Sequence, residues 1–207
     1  MNYEGCNIFV SGQTGSGKSY LVRHEIVDSW RLVVWCPKPE EHDYPGVTFD
    51  MMRESRGKFI EFWRHCVGGR FRLIYRPRDK FDFEEFDALC RLVYTCGNMT
   101  FVVEEVGSTV PARVFQRTDA GRGFKTLLTA GRTRDIETWI VNQRPSGVPV
   151  EIKSECRKAF IFKTLEPPDQ DYIRDRFGVA AYQALLALGP YEHVEWREDG
   201  AIRVGKA

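Results

Sequence analysis

Several features that would place a chain in a class at once are missing here. No apolar run approaches the roughly 18 to 20 residues needed to cross a bilayer, so a membrane-spanning protein is disfavoured. No charged-then-apolar leader precedes the first motif, so export is not expected. The six cysteines, Cys6, Cys36, Cys66, Cys90, Cys96 and Cys156, contain no C-x-x-C pair and no His companion at zinc-ligand spacing. The expectation is therefore reduced, mostly buried thiols in a cytosolic protein. Internal repeats and low-complexity segments are absent. So is any excess of one charge: 30 Lys and Arg stand against 29 Asp and Glu, a formal net charge of +1. No global basic field advertises a nucleic acid, and any DNA contact must come from a local patch.

What is present is ordinary for a globular chain, with 43% hydrophobic, 29% charged and 13% aromatic residues, the last arguing against disorder. At 207 residues the expectation is one domain spanning 1–207, with a core over about 5–165 and C-terminal helices and a hairpin over about 166–207. Apolar runs of strand length alternate with helical patterns, the signature of an α/β fold with a mainly parallel sheet. Strands are expected at Asn7 to Ser11, Arg31 to Cys36, Phe71 to Tyr75, Met99 to Val103, Thr138 to Asn142 and Arg157 to Thr164. Helices are expected at about Lys18 to Trp30, Ser55 to Cys66, from Phe83 to near Gly97, Gly123 to Ala130, and from Pro167 with a restart near Val179. Pro37 to Pro45 reads as a loop, Gly107 to Arg122 as a long loop or partly ordered excursion, and Tyr191 to Val204 as a hairpin around Asp199-Gly200.

The string Gly12-Gln13-Thr14-Gly15-Ser16-Gly17-Lys18-Ser19 matches G-x-x-x-x-G-K-[ST] in full, between a strand and a helix where this motif belongs. Glycines at 12, 15 and 17 permit backbone conformations closed to other residues, so successive N–H groups can face a polyphosphate. Lys18 is placed to reach the β- and γ-phosphates of ATP, Ser19 to offer its hydroxyl to Mg2+, and Tyr20 to border the site as the helix begins. The alternative is a chance Gly-rich turn.

Thr100 to Glu105 is an apolar strand ending in two acids. Glu104 is assigned to the Mg2+ shell and Glu105 to activation of the attacking water, since neighbouring strand residues face opposite ways. Gln143, at the end of the strand from Thr138, offers a neutral amide to the γ-phosphate or the attacking water. Arg132 and Arg134 are the candidates for a finger inserted into a neighbouring subunit's site. Arg113, Arg117, Arg122 and Lys125 are candidates for touching DNA phosphates in the channel of a ring. Plainer readings stand beside each: solvated surface acids, turn residues, a basic helix end, a soluble surface.

The order of these motifs, with Gly131-Arg132-Thr133-Arg134-Asp135 followed by the strand end Asn142-Gln143-Arg144-Pro145-Ser146-Gly147-Val148-Pro149, resembles the FtsK–HerA superfamily of DNA-pumping ATPases. By size it looks like the viral branch, the genome-packaging ATPases of membrane-containing icosahedral phages and viruses; the similarity covers about residues 5 to 165. The resemblance implies a RecA-like P-loop core with the Gln143 strand between those of the phosphate loop and the acid pair. It also implies a hexameric or pentameric ring at a capsid vertex, in the host cytoplasm and the virion, that hydrolyses ATP to move double-stranded DNA. One departure is Glu104, where the family usually has Asp. Competing expectations are a filamentous-phage-type assembly or export ATPase, a P-loop nucleotide kinase, and a non-hydrolysing, nucleotide-switched capsid component.

Overall fold

Strands covered on both faces have no solvent side to satisfy, so they read as unbroken apolar runs. β1 (Asn7–Ser11), β2 (Arg31–Trp35) and β5 (Met99–Val103) are buried at every position, and β6 (Ile136–Asn142) at all but Glu137. The computed structural model describes residues 5–38, 44–79, 81–110, 112–116 and 121–207, with backbone alone at 113 and 114. Nine strands form one sheet in the order β3-β4-β2-β5-β6-β1-β7-β8-β9. Here β3 is Val47–Asp50, β4 Phe71–Arg76, β7 Cys156–Phe162, β8 Glu192–Arg197 and β9 Ile202–Lys206. All pairs from β3 to β7 are parallel, and β8 and β9 add antiparallel.

Helices α1 (Lys18–Glu25), α2 (Arg56–Cys66), α3 (Phe83–Cys96) and α6 (Arg122–Ala130) flank the sheet, joined by the short α4 (Val106–Thr109), α5 (Ala112–Phe115) and α7 (Val150–Ser154). α8 (Pro167–Phe177) and α9 (Val179–Ala187) lead into the hairpin. The two faces carry two separate apolar clusters, one around Trp35, Phe86 and Phe101 and one around Val10, Val22 and Phe160. α3 opens on a capping aspartate, Asp82, that accepts from the Glu85 N–H, and ends at Gly97. On the same helix Asp87 accepts from the Phe124 N–H at 2.9 Å, and the lack of a Cβ at Gly123 lets α6 close onto the Asp87 carbonyl. The basic residues of α6 are thereby fixed relative to α3.

Three expected boundaries are corrected. α1 stops at Glu25 rather than Trp30: Ile26, Val27, Asp28 and Ser29 are poor helix formers, and the Arg72 guanidinium takes the Ile26 and Val27 carbonyls at 2.9 and 3.0 Å. The edge strand β3 was not expected; its residues are exposed or half-buried and four residues show no usable alternation. Within the supposed loop from Gly107, α4 and α5 are each four residues long, too short to display a helical period. The C-terminal hairpin, in contrast, falls where expected and extends the sheet, Val194 pairing with Ile161.

Beyond β6 the chain is held by buried polar groups. Asp169, fully buried, accepts from Arg144 Nε at 3.1 Å and from the Ser146 N–H at 3.0 Å. Lys153, also buried, donates from Nζ to the Pro145 carbonyl at 2.7 Å and lies 3.6 Å from the Tyr172 ring centroid. Loss of water lowers its pKa to about 8, although the nearby Asp169 charge opposes the shift. In the unfolded chain Lys153 keeps its proton up to 10.5, so between these two values the unfolded state binds the extra proton. The lysine's stability penalty is thus full below about pH 8 and fades toward pH 10.5. Urea unfolding across this interval is expected to show the native chain gaining stability relative to Lys153→Met as pH rises, with a flat difference below it.

Candidate nucleotide site

Because β1, β6, β5 and β2 are adjacent and parallel, the residues that follow them emerge at one edge of the sheet, roughly 4.8 Å apart from strand to strand. Register fixes the alignment: Ser11 lies opposite Asn142, and Val103 lies opposite Ile140 on one side and Trp35 on the other. The phosphate loop, Gln143, the acid pair and Lys38 therefore share the crevice outside the carboxyl ends of the strands, where open α/β sheets bind ligands. Gln143 stands between the loop and the acids, as the resemblance implied.

The loop from Gly12 to Ser19 is a cradle that side chains would fill. Gly12, Gly15 and Gly17 have φ of 150°, 76° and 103°. A Cβ on Gly12 would meet Phe162 Cβ at 2.4 Å, and one on Gly17 would stand 3.0 Å from Ala207 Cβ. Gly15 has open space, so there only the backbone angle demands glycine. Gln13, Thr14 and Gly15 are exposed, whereas Lys18 is buried, its Nζ donating to the Gln13 carbonyl at 2.7 Å across the loop. The buried Ser16 hydroxyl has no hydrogen-bond partner in the protein. An orphaned Ser16 hydroxyl, a buried lysine that donates to a loop carbonyl, and a helix N-terminus fit a polyphosphate. Ser19, in the first turn of α1, is half-buried, and Tyr20 is exposed.

Glu104 and Glu105 are held very differently. Glu104 is 1% exposed, accepts from the Tyr44 hydroxyl at 2.5 Å and lies 3.9 Å from Lys38 Nζ. Glu105 is left-handed, with φ 52° and ψ 44°, a conformation costing a residue with a Cβ about 1 to 2 kcal/mol. The turn swings its carboxylate out of the strand line, where Oε1 accepts from Gln143 Nε2 at 3.1 Å and pairs with Lys38 Nζ, also at 3.1 Å. Asn142 braces this turn: its Oδ1 accepts from the Gly107 N–H at 3.0 Å and its Nδ2 donates to the Arg144 carbonyl at 2.7 Å. Lys38 and Tyr44 were missed by sequence reading. Both lie in the segment after β2 read simply as a loop, and neither belongs to a spaced motif; only the sheet order brings Lys38 to the acids.

Ser19 and Glu104 supply hard oxygen donors, the ligand type of Mg2+, which keeps most of its shell as water and phosphate. Among the described residues no three His, Cys, Asp or Glu side chains cluster to hold a metal by themselves. The donor set therefore fits a metal that arrives with a phosphate.

Arg132 and Arg134 occupy the turn entering β6, at the end of the sheet opposite the phosphate loop. Arg134 donates to the Thr95 carbonyl at 2.6 Å and the Tyr94 carbonyl at 3.4 Å, closing the end of α3. Arg132 is exposed beside Gly5, Cys6 and Glu198. Neither can reach the site of its own chain. Arg122 is exposed on α6 and Lys125 lies 5.1 Å from the Phe115 ring centroid. Arg117 and the side chain of Arg113 lie outside the described residues.

No family model and no curated protein matches the chain. Solved structures do. The genome packaging NTPase B204 from Sulfolobus turreted icosahedral virus 2, in complex with ATP-gammaS, superposes with a TM-score of 0.78 at 17% identity, over 100% of this chain and 98% of that one. B204 of Sulfolobus turreted icosahedral virus, described as a DNA-packaging ATPase, gives 0.76 at 17% identity over 100% and 98%. VirB4 of Thermoanaerobacter pseudethanolicus gives 0.64 at 10% identity over 97% and 88%. The fold of this chain is therefore a P-loop NTPase fold, shared with the genome packaging NTPase B204 and with VirB4.

Proposed function

We propose that the chain is an ATP-hydrolysing motor subunit that moves double-stranded DNA into a viral capsid. The observation that carries the reading is the hydrogen bond between Gln143 and Glu105, set beside an intact phosphate loop, in a fold shared along its whole length with a DNA-packaging ATPase. Lys18 binds the β- and γ-phosphates after leaving the Gln13 carbonyl. Glu105 Oε1 takes the proton of the attacking water, and Gln143 orients the carboxylate and registers the γ-phosphate. Ser19 and Glu104 would hold Mg2+, which would supply neutralising charge at the phosphates. Lys38 keeps two neighbouring like charges together until the nucleotide brings its own cation.

The position of Arg132 and Arg134, at the far end of the sheet from their own loop, suits a finger supplied in trans within a hexameric or pentameric ring. Arg132 is the stronger candidate because Arg134 already closes α3. Arg122 and Lys125, with Arg113 and Arg117, would face the DNA backbone. The working place is the packaging vertex, reached from the host cytoplasm.

Steady-state ATP hydrolysis at low salt, with and without long double-stranded DNA, tests the reading. DNA is expected to stimulate turnover, Lys18→Ala to abolish nucleotide binding, and Glu105→Gln to bind ATP while losing about 10²- to 10⁴-fold in kcat. Turnover raised by a nucleoside acceptor and indifferent to DNA would point to a kinase, and no turnover to a nucleotide-switched capsid component. For the finger, Arg132→Ala is expected to be inactive alone and to recover activity when mixed with Glu105→Gln, since some interfaces then join an intact base to an intact arginine. Lys38→Met is expected to lower kcat by about 10-fold or more with little change in KM, while Lys38→Arg retains most of it; equal kcat in all three would remove Lys38 from the machinery.

A further inference from the structure

The C-terminal hairpin does more than widen the sheet, because its first residue and its last stand on the phosphate loop. Tyr191, just before β8, has φ 62°, a left-handed conformation that bulky residues avoid. The conformation is held where the Tyr191 carbonyl accepts from the Ala207 N–H at 2.9 Å, closing the hairpin ends together. A Cβ placed on Gly17 would lie 3.6 Å from Tyr191 Cδ1, so the ring borders the loop. Yet Tyr191 is 57% exposed, and so is Tyr20 on the first turn of α1. A strained, exposed aromatic at a ligand cradle is a feature that folding alone does not explain.

Between α1 and the hairpin runs a groove of about 580 Å³, lined by Tyr20, His24, Lys158, His193, Glu195 and Ala207. It begins where the phosphate loop turns into α1, and it is of the size of small-molecule sites. The His193 ring lies against Phe160 and Phe162, with centroids 5.3 and 5.2 Å away. Gly205 leaves room for it, since a Cβ there would come within 2.6 Å of Nε2. Burial pushes the His193 pKa down, which keeps the imidazole neutral. Charges of both signs line the groove: Lys158 Nζ lies 3.3 Å and Arg197 Nη2 2.9 Å from Glu195 Oε1, and Glu25 and Lys206 lie along the same wall. A groove with an aromatic floor and carboxylates interleaved among its cations does not call for another phosphate. It suits a neutral, planar heterocycle.

We propose that the base of the nucleotide lies at the mouth of this groove, stacked between Tyr20 on its wall and Tyr191 beside Gly17 of the phosphate loop, so that the hairpin β8–β9 is the base-recognition element of the site. The proposal rests on the reading of Gly12 to Ser19 as a nucleotide site and adds the part that distinguishes a nucleoside triphosphate from a bare polyphosphate.

Calorimetric titration of the full chain with ATP and with inorganic tripolyphosphate separates the two contributions. The native chain is expected to bind ATP about 10-fold or more tightly than tripolyphosphate. Tyr191→Ala is expected to weaken ATP by about five- to hundred-fold, the range for losing an aromatic stacked on a base. It should leave tripolyphosphate within about two-fold, which also shows that the loop is still formed, and Tyr191→Phe should keep native ATP affinity. Equal native affinities for the two ligands, an unchanged ATP affinity in Tyr191→Ala, or an equal loss for both ligands would each overturn the base groove while leaving the phosphate loop standing. If the native chain binds neither ligand, the nucleotide reading falls and the groove assignment falls with it.

Discussion

Every functional distance in this protein depends on the parallel register of β6 between β1 and β5. Ser11 lies opposite Asn142 and Val103 opposite Ile140, so three strands end within a few residues of one another and deliver a loop, an amide and a carboxylate pair to one crevice. A slip of one residue would turn each of the side chains involved to the other face of the sheet. The unbroken burial of β1 and β5, and of most of β6, opposes such a slip, because the slip would trade well-packed apolar contacts for poorly fitted ones. The site is thus as rigid as the core under it.

On that frame the acid pair poses an electrostatic problem that the chain solves locally. Two carboxylates on successive residues repel, and one of them, Glu104, is almost wholly buried. Tyr44 gives Glu104 a hydrogen bond, Lys38 lies within 3.9 Å of both acids, and the left-handed turn at Glu105 parts the two side chains. The strain at Glu105 has a use, since a regular strand residue would not aim its carboxylate at Gln143.

Much of this was legible in the sequence, and the rest was not for identifiable reasons. The phosphate loop announces itself because glycine and lysine at fixed offsets have few other uses, and the strand before it needs no partner to be recognised. The inner strands are readable from continuous apolar runs, and α3 from its period and its capping Asp82. The contribution of Lys38 is invisible because it depends on β2 lying beside β5, a neighbour relation between strands more than sixty residues apart in the chain. α4, α5 and β3 are four residues each, below the length at which a period can be seen. Tyr191 carries no sequence signal at all, since its place on the loop follows from the hairpin's pairing with β7.

Asp169 ties α8 to the segment that follows Gln143, gripping Arg144 and Ser146 from a fully buried position while Lys153 holds Pro145 from below. Three successive residues, Arg144 to Ser146, are thus tied to the helical layer directly after Gln143, which has its bond in the nucleotide crevice. Interiors packed at crystal-like density yield by whole rearrangements and resist small deformations. A displacement of Gln143 of about an ångström therefore either breaks these bonds or carries α8 with it, and the linkage behaves as a stiff crank between the chemistry at the sheet edge and the outer surface of the molecule.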